Sequence, residues 1–168
     1  MSEKHNQGGG ECPWKSVGAI VHRGNDTSFV LLIHRAKYPV SWAPPAGHLD
    51  EVGPSELEDP KDAVMRELSE EVGLYVSRPD DSQLVLKDLL ENRCRRENPQ
   101  SGARYDSHQW WVYRFTVPEN FQPTLQRDEA TDWRWANRDE IQRLIRQNAL
   151  DPAWAEIFTR FDTRIFGE

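Results

Sequence analysis

The nine residues RELSEEVGL, Arg66 to Leu74, constrain this chain more than any other stretch. They set three glutamates, Glu67, Glu70 and Glu71, on about one and a half helical turns and then stop at a glycine. Carboxylates three and four positions apart on a helix repel one another, so a positive group belongs between them. The helix is marked at both ends. Asp59 is a good N-cap, Pro60 suits the first helical position, and Asp62 is placed to reach back to the cap. Gly73 fits a left-handed C-terminal cap, with Leu74 as its apolar follower. Val64, Leu68 and Val72 form a stripe that would face a sheet, and the glutamates share the neighbouring face. Arg66 stands four before Glu70, within pairing reach.

The acidity is local. Between Asp50 and Glu71 nine acids stand against Lys61 and Arg66, so this segment alone equals the net charge of -7 of the whole chain. An acidic chain is a poor sequence-independent nucleic-acid binder, which normally shows a basic surface. No run approaches the roughly 18 apolar residues of a membrane span, and MSEKHNQGGGEC at the N-terminus lacks the apolar core of a secretory signal. Cys12 and Cys94 have neither disulfide-framework nor metal-ligand spacing and read as inert thiols of a reduced, cytoplasmic protein.

Residues 1–12 read as a flexible leader and 13–168 as a single domain. Val17 to His22 and Phe29 to His34 are β-branched runs around a turn, a hairpin signal. Pro44 and Pro45 restrict the next segment to an edge strand or loop. Strands follow at Leu84–Leu89 and His108–Val117, with Trp111, Tyr113, Phe115 and Val117 on one face. Between them lies a hairpin arm containing Arg93, Cys94, Arg95, Arg96 and Arg104. Thr131–Ala136 is a short strand, and Asn137 with Glu140 opens a helix carrying Ile141, Leu144 and Ile145. Asp151 and Pro152 open a last helix whose Trp154, Ile157, Phe158, Phe161 and Ile165 form an apolar stripe. Trp154, Phe158 and Phe161 either cap the core or extend into a homodimer. The element order predicts a mixed sheet covered by helices, α/β or α+β in class.

Clustered carboxylates on a rigid helix make a hard-oxygen site suited to Mg²⁺ or Mn²⁺, which share their coordination with substrate phosphates. A solvated acidic helix face is the other reading of the same residues. No histidine stands at zinc-ligand spacing to another.

The stretch resembles the signature of the Nudix hydrolases: Gly, five residues, Glu, seven residues, then Arg-Glu-aliphatic-x-Glu-Glu-x-Gly-aliphatic. Arg66 to Leu74 matches the second half throughout, Glu58 stands at the required distance before it, and Trp42 to Asp50 looks like the family's lead-in. One departure is an insertion: ten residues, not five, separate Gly47 from Glu58, which leaves Glu56 and Glu58 as alternatives for the first glutamate. The resemblance implies an α/β/α sandwich and a Mg²⁺- or Mn²⁺-dependent pyrophosphohydrolase cleaving a nucleoside diphosphate linked to another moiety. It implies Glu70 and Glu71 as metal ligands, Glu67 as ligand or base, and Arg66 as the residue that orients the carboxylates. The Gly47 carbonyl completes the shell, and Asp128 or Glu129, with Glu129 favoured, adds a further acid. A Nudix-like module that binds a nucleotide or a partner without hydrolysis is the competing reading.

Substrate contacts are expected from His34, Arg35 and Trp42, with Lys37 and Tyr38 nearby, because an aromatic there could stack on a base and a cation could meet a phosphate. The family's subfamily markers are missing: Leu89 and Leu90 occupy the region of the ADP-ribose-type proline, and Glu91-Asn92-Arg93 offers no tyrosine of the dinucleoside-polyphosphate type. By elimination a nucleoside triphosphate or a modified nucleotide is favoured.

Overall fold

The computed structural model describes residues 8–37, 40–91 and 96–167. Tyr38, Arg93, Cys94 and Arg95, considered above, lie outside the described residues. The chain forms β1 (Ser16–Arg23), β2 (Phe29–Arg35), β3 (Trp42–Ala43), β4 (Ala46–His48), β5 (Glu51–Gly53), β6 (Glu56–Leu57) and α1 (Pro60–Val72). A single 3-10 turn (Asp81–Gln83) precedes β7 (Leu84–Leu90), β8 (His108–Val117), β9 (Ala130–Asn137), α2 (Arg138–Arg146), α3 (Pro152–Arg160) and α4 (Asp162–Phe166).

The strands make a mixed four-stranded sheet in the order β4-β1-β8-β7 and an antiparallel three-stranded sheet in the order β3-β2-β9. β1 and β8 run parallel, from Ser16 beside Trp110 to Arg23 beside Val117. Two cores lie on either side. Val17, Ala19 and Val21 join Leu31, Ile33, Tyr113 and Phe115 against Val64, Leu68 and Val72 of α1. Ile20, Val30, Leu32 and Val112 pack on the other side against Ile141, Leu144, Trp154 and Ile157. This is the expected α/β/α sandwich. Trp154 and Phe158 are buried in the second core, so they cap it from within the chain. Gly18 sits where any Cβ would run into the Trp154 indole, which fixes how closely α3 approaches β1.

The expected β1–β2 hairpin does not form. The turn between them exists, with Gly24 at φ 57° and Asp26 Oδ1 accepting from the Ser28 amide. Beyond it, however, the two strands enter different sheets and pair with distant segments. Both strands are buried on both faces, so each needs a layer above and below, and a shared hairpin does not supply one.

The apolar last helix breaks at Phe161 into α3 and α4. Nor do residues 8–12 behave as a leader. The Gly9 amide donates to Arg104 O at 3.0 Å, the Cys12 amide donates to Ser107 O at 2.8 Å, and Cys12 is fully buried against Tyr105. No helix among the described residues is long and apolar enough to cross a membrane.

Candidate active site

Helix α1 forms as its sequence requires. Asp59 caps it by accepting from the Lys61 amide at 2.8 Å, and Gly73 closes it at φ 67° with the Leu74 amide donating to Leu68 O. Asp62 does not reach back to the cap; it accepts from Arg78 Nε at 3.1 Å instead. The stripe of Val64, Leu68 and Val72 is buried against the sheet. That packing turns the adjacent glutamates toward β4.

The inserted residues fold on themselves. β5 and β6 pair as a small hairpin with Ser55 in the left-handed region at its tip. Its base is closed by the Glu58 amide donating to Asp50 O at 2.7 Å and the Asp50 amide donating to Glu58 Oε1 at 2.9 Å. The extra length therefore leaves the line, and Glu58 keeps its place beside Arg66. Glu56 stands exposed over Gly53.

Arg66 is the hub. Its Nη2 donates to Glu58 Oε1 at 2.5 Å and to His48 O at 3.0 Å, and its Nη1 donates to Glu67 Oε1 at 3.0 Å and Glu70 Oε2 at 3.2 Å. Its Nε lies 3.2 Å from Asp50 Oδ2. Burial works against this charge, but the Glu58 bond and the charges of Glu67, Glu58 and Asp50 outweigh it and hold the guanidinium above its ordinary value.

Glu71 is buried, and its Oε1 accepts from the Ala46 amide at 3.2 Å. Burial, followed by the hydrogen bond and charge of Glu67, pushes its carboxyl well above the usual carboxylate range. Glu67 is raised too, chiefly by burial, while Arg66 pulls it back down. The two carboxyls form one coupled acid pair with a high affinity for a proton. Gly47 leaves room beside them: a Cβ at that position would meet the Glu67 carboxylate and push it aside.

Ladder geometry shifts one expectation by a residue. The Ala19 amide donates to Pro45 O and the Leu49 amide to Lys15 O, so alternation puts Val17 and Gly47 in the intervening hydrogen-bonded pair. The Gly47 carbonyl thus faces β1. The Ala46 carbonyl points to the open edge, on the side where its own amide meets Glu71.

These groups line a cleft of about 1140 Å³. The loop before β9 supplies Gln126, Asp128 and Glu129 to it, held down by the Thr124 amide donating to Val72 O and the Gln126 amide donating to Glu71 O. Glu129 pairs with Lys37 at 2.9 Å, which raises the Lys37 ammonium above its ordinary value. Arg35 also lines the cleft, and its charge opposes the burial-driven rise of Asp151 as well as that of Glu71.

His34 and Trp42 are not among the lining residues. Their rings lie 4.9 Å apart and Arg134 lies over Trp42 at 5.5 Å, so the indole is stacked within the fold. Neighbouring strand residues point to opposite faces, so Arg35 enters the cleft while His34 does not. Sequence reasoning missed Ser16, His48, His108, Trp110 and Asp151, which also line it. Asp151 was legible only as the cap it is, accepting from the Ala153 amide at 2.9 Å.

The donor set suits a hard divalent cation. Burial and mutual repulsion raise the proton affinity of both carboxyls, which marks a place where positive charge is favoured. Among the described residues no three His, Cys, Asp or Glu side chains form a ready-made cage. A divalent cation in this cleft would complete its shell with water and substrate phosphates.

Comparison with known proteins gives this geometry a family. The model of the NUDIX domain matches residues 13–158. The chain belongs to the Nudix family. A Nudix relative, "Nudix hydrolase 26, chloroplastic" of Arabidopsis thaliana, is 23% identical over 152 residues, which cover 84% of this chain and 66% of that protein. The chain therefore spans just under two thirds of that relative's length. Among solved structures, a C. elegans Ap4A hydrolase superposes with TM-score 0.59 at 20% identity, covering 92% of this chain and 99% of the other. A bifunctional NMN adenylyltransferase/ADP ribose pyrophosphatase from Francisella tularensis, complexed with AMP and an Mn ion, also gives 0.59 at 20% identity. It is covered over 42% of its length, and this Nudix chain over 90%.

Proposed function

We propose that the protein is a divalent-metal-dependent pyrophosphohydrolase that cleaves a nucleoside diphosphate linked to another moiety, with nucleoside triphosphates and modified nucleotides as the favoured substrates. The observation that carries this reading is the buried, proton-hungry pair Glu67 and Glu71 at the floor of a cleft. Glu71, Glu67, Glu70 and the Ala46 carbonyl would hold Mg²⁺ or Mn²⁺, which when bound draws charge from the phosphate oxygens and meets the charge that develops on the leaving phosphate.

The chain's own residues do the rest. Arg66 holds the Glu67 and Glu70 carboxylates in fixed orientation from one side. Where it does not ligate the ion, Glu67, with its raised proton affinity, is the residue placed to take the proton of the attacking water. Glu129, exposed at the rim, is free to act as a second base once Lys37 turns from it to a substrate phosphate. Arg35 adds positive charge to the lining of the cleft.

The test is phosphate or nucleotide release from nucleoside triphosphates, ADP-ribose and Ap4A, with and without Mg²⁺ or Mn²⁺. Metal-dependent product from at least one of them, abolished in Glu67→Gln and Glu71→Gln, supports the reading. Tight nucleotide binding without product after long incubation with metal would replace it by a binding module.

A further inference from the structure

The cleft continues past the glutamates along the first sheet. Ser16 lies in register with His48 of β4 on one side and Trp110 of β8 on the other, and His108, Glu91 and Arg96 line the far end. Arg96 differs from Lys37, the cation at the near end, which is tied to Glu129. Among the described residues no carboxylate lies within ion-pair distance of Arg96, and its guanidinium stands over the Trp14 ring at 4.0 Å.

Trp14 is itself fixed. Its ring meets Tyr105 edge-on at 6.4 Å, beside buried Cys12. The segment leading to it is stitched to the arm by the Gly9 and Cys12 amides and by the Asp106 amide donating to Gly10 O at 3.0 Å. A guanidinium laid on an indole keeps its planar fork of N–H donors for an anion, already oriented before the anion arrives.

We propose that Arg96, positioned by Trp14, is a specificity-determining residue that binds a second phosphate of the substrate, one on the nucleoside rather than in the scissile diphosphate. This rests on the reading of the Glu67–Glu71 end as the diphosphate end. β1 and β8 separate β4 from the arm, so the two ends of the cleft lie roughly 10 Å or more apart. That separation suits a phosphate on another part of the substrate better than the adjoining phosphate of the same diphosphate. Glu91 lines the same end and opposes an anion there, so Glu91→Gln strengthens the preference.

Calorimetry with Mg²⁺ present compares adenosine monophosphate with adenosine 2′,5′-bisphosphate and adenosine 3′,5′-bisphosphate. In the wild type at least one bisphosphate binds roughly tenfold more tightly than the monophosphate, as one charge-assisted contact supports. Arg96→Gln brings that ratio close to one, Arg96→Lys recovers part of it, and Trp14→Leu lowers it by mispositioning Arg96. Arg104→Gln, on the same arm but outside the cleft, keeps the wild-type ratio. Bisphosphates that bind no more tightly than the monophosphate, or not at all, overturn the proposal, as does a ratio that survives Arg96→Gln. A protein that discriminates the bisphosphates through Arg96 yet hydrolyses no diphosphate refutes the hydrolase reading and leaves Arg96 its role.

Discussion

The Ala46 amide donates to Glu71 Oε1 at 3.2 Å and so ties the edge strand of one sheet to the buried acid of helix α1. Through that bond the strand and the helix share one position, and Glu67 is wedged between Glu71 and Gly47. The Ala46 bond and the buried setting keep the two carboxyls close together.

The first prediction separates the two candidate glutamates of the inserted loop. Glu58→Gln removes the charge from the 2.5 Å contact to Arg66 and weakens the closure to Asp50, and it lowers both thermal stability and turnover. Glu56→Gln, on the exposed hairpin, changes stability by no more than about 0.5 kcal/mol. Equal effects in a paired denaturation series would contradict the assignment of Glu58.

Arg66 neutralises carboxylates that are themselves largely buried, so its removal leaves them exposed to one another. Arg66→Ala should destabilise the fold by roughly 3 kcal/mol, the scale for removing one partner of a buried pair. Arg66→Lys keeps the charge but not the fork that reaches Glu58, Glu67, Glu70 and His48 O together, and it falls between wild type and alanine. Urea denaturation at fixed ionic strength reads the order.

Much of this was legible in the chain. Helix α1, its caps and its stripe are local signals, and the structure reproduces Asp59, Gly73 and the buried Val64, Leu68 and Val72. The β1–β2 pairing was not legible, because a strand buried on both faces carries no alternation to say which sheet it joins. Which main-chain carbonyl faces the open edge was not legible for a related reason. Whether Ala46 or Gly47 faces outward depends on register with β1, which no local motif encodes. Ser16, His108, Trp110 and Arg96 reach the cleft only through pairings between distant segments.

His22 provides a pH prediction outside the cleft. Its Nδ1 lies 2.8 Å from Phe29 O, its Nε2 has no hydrogen-bond partner among the described residues, and burial depresses its basicity. The unfolded chain then binds the proton more readily, so stability is full above about pH 6.5 and declines as pH falls through and below that value. Ring-proton NMR should find a titration midpoint below about 6.5. A midpoint above it would contradict the assignment.

The metal-free acid pair gives the opposite sign. Glu67 and Glu71 hold protons more tightly folded than unfolded, so their contribution is greatest below the ordinary carboxylate value of about 4.3 and is lost as pH rises through the raised folded values. The melting temperature of wild type relative to Glu71→Gln should therefore fall with rising pH in chelator, and a flat difference would refute the coupling.

Binding of Mn²⁺ followed by calorimetry, in wild type and in Glu71→Gln, tests the central claim most directly. The account predicts that wild type takes up the ion with release of protons and that Glu71→Gln loses at least roughly tenfold in affinity together with that release. Equal affinity and equal proton release in the two proteins would show that the ion, if bound, sits elsewhere, and would contradict it.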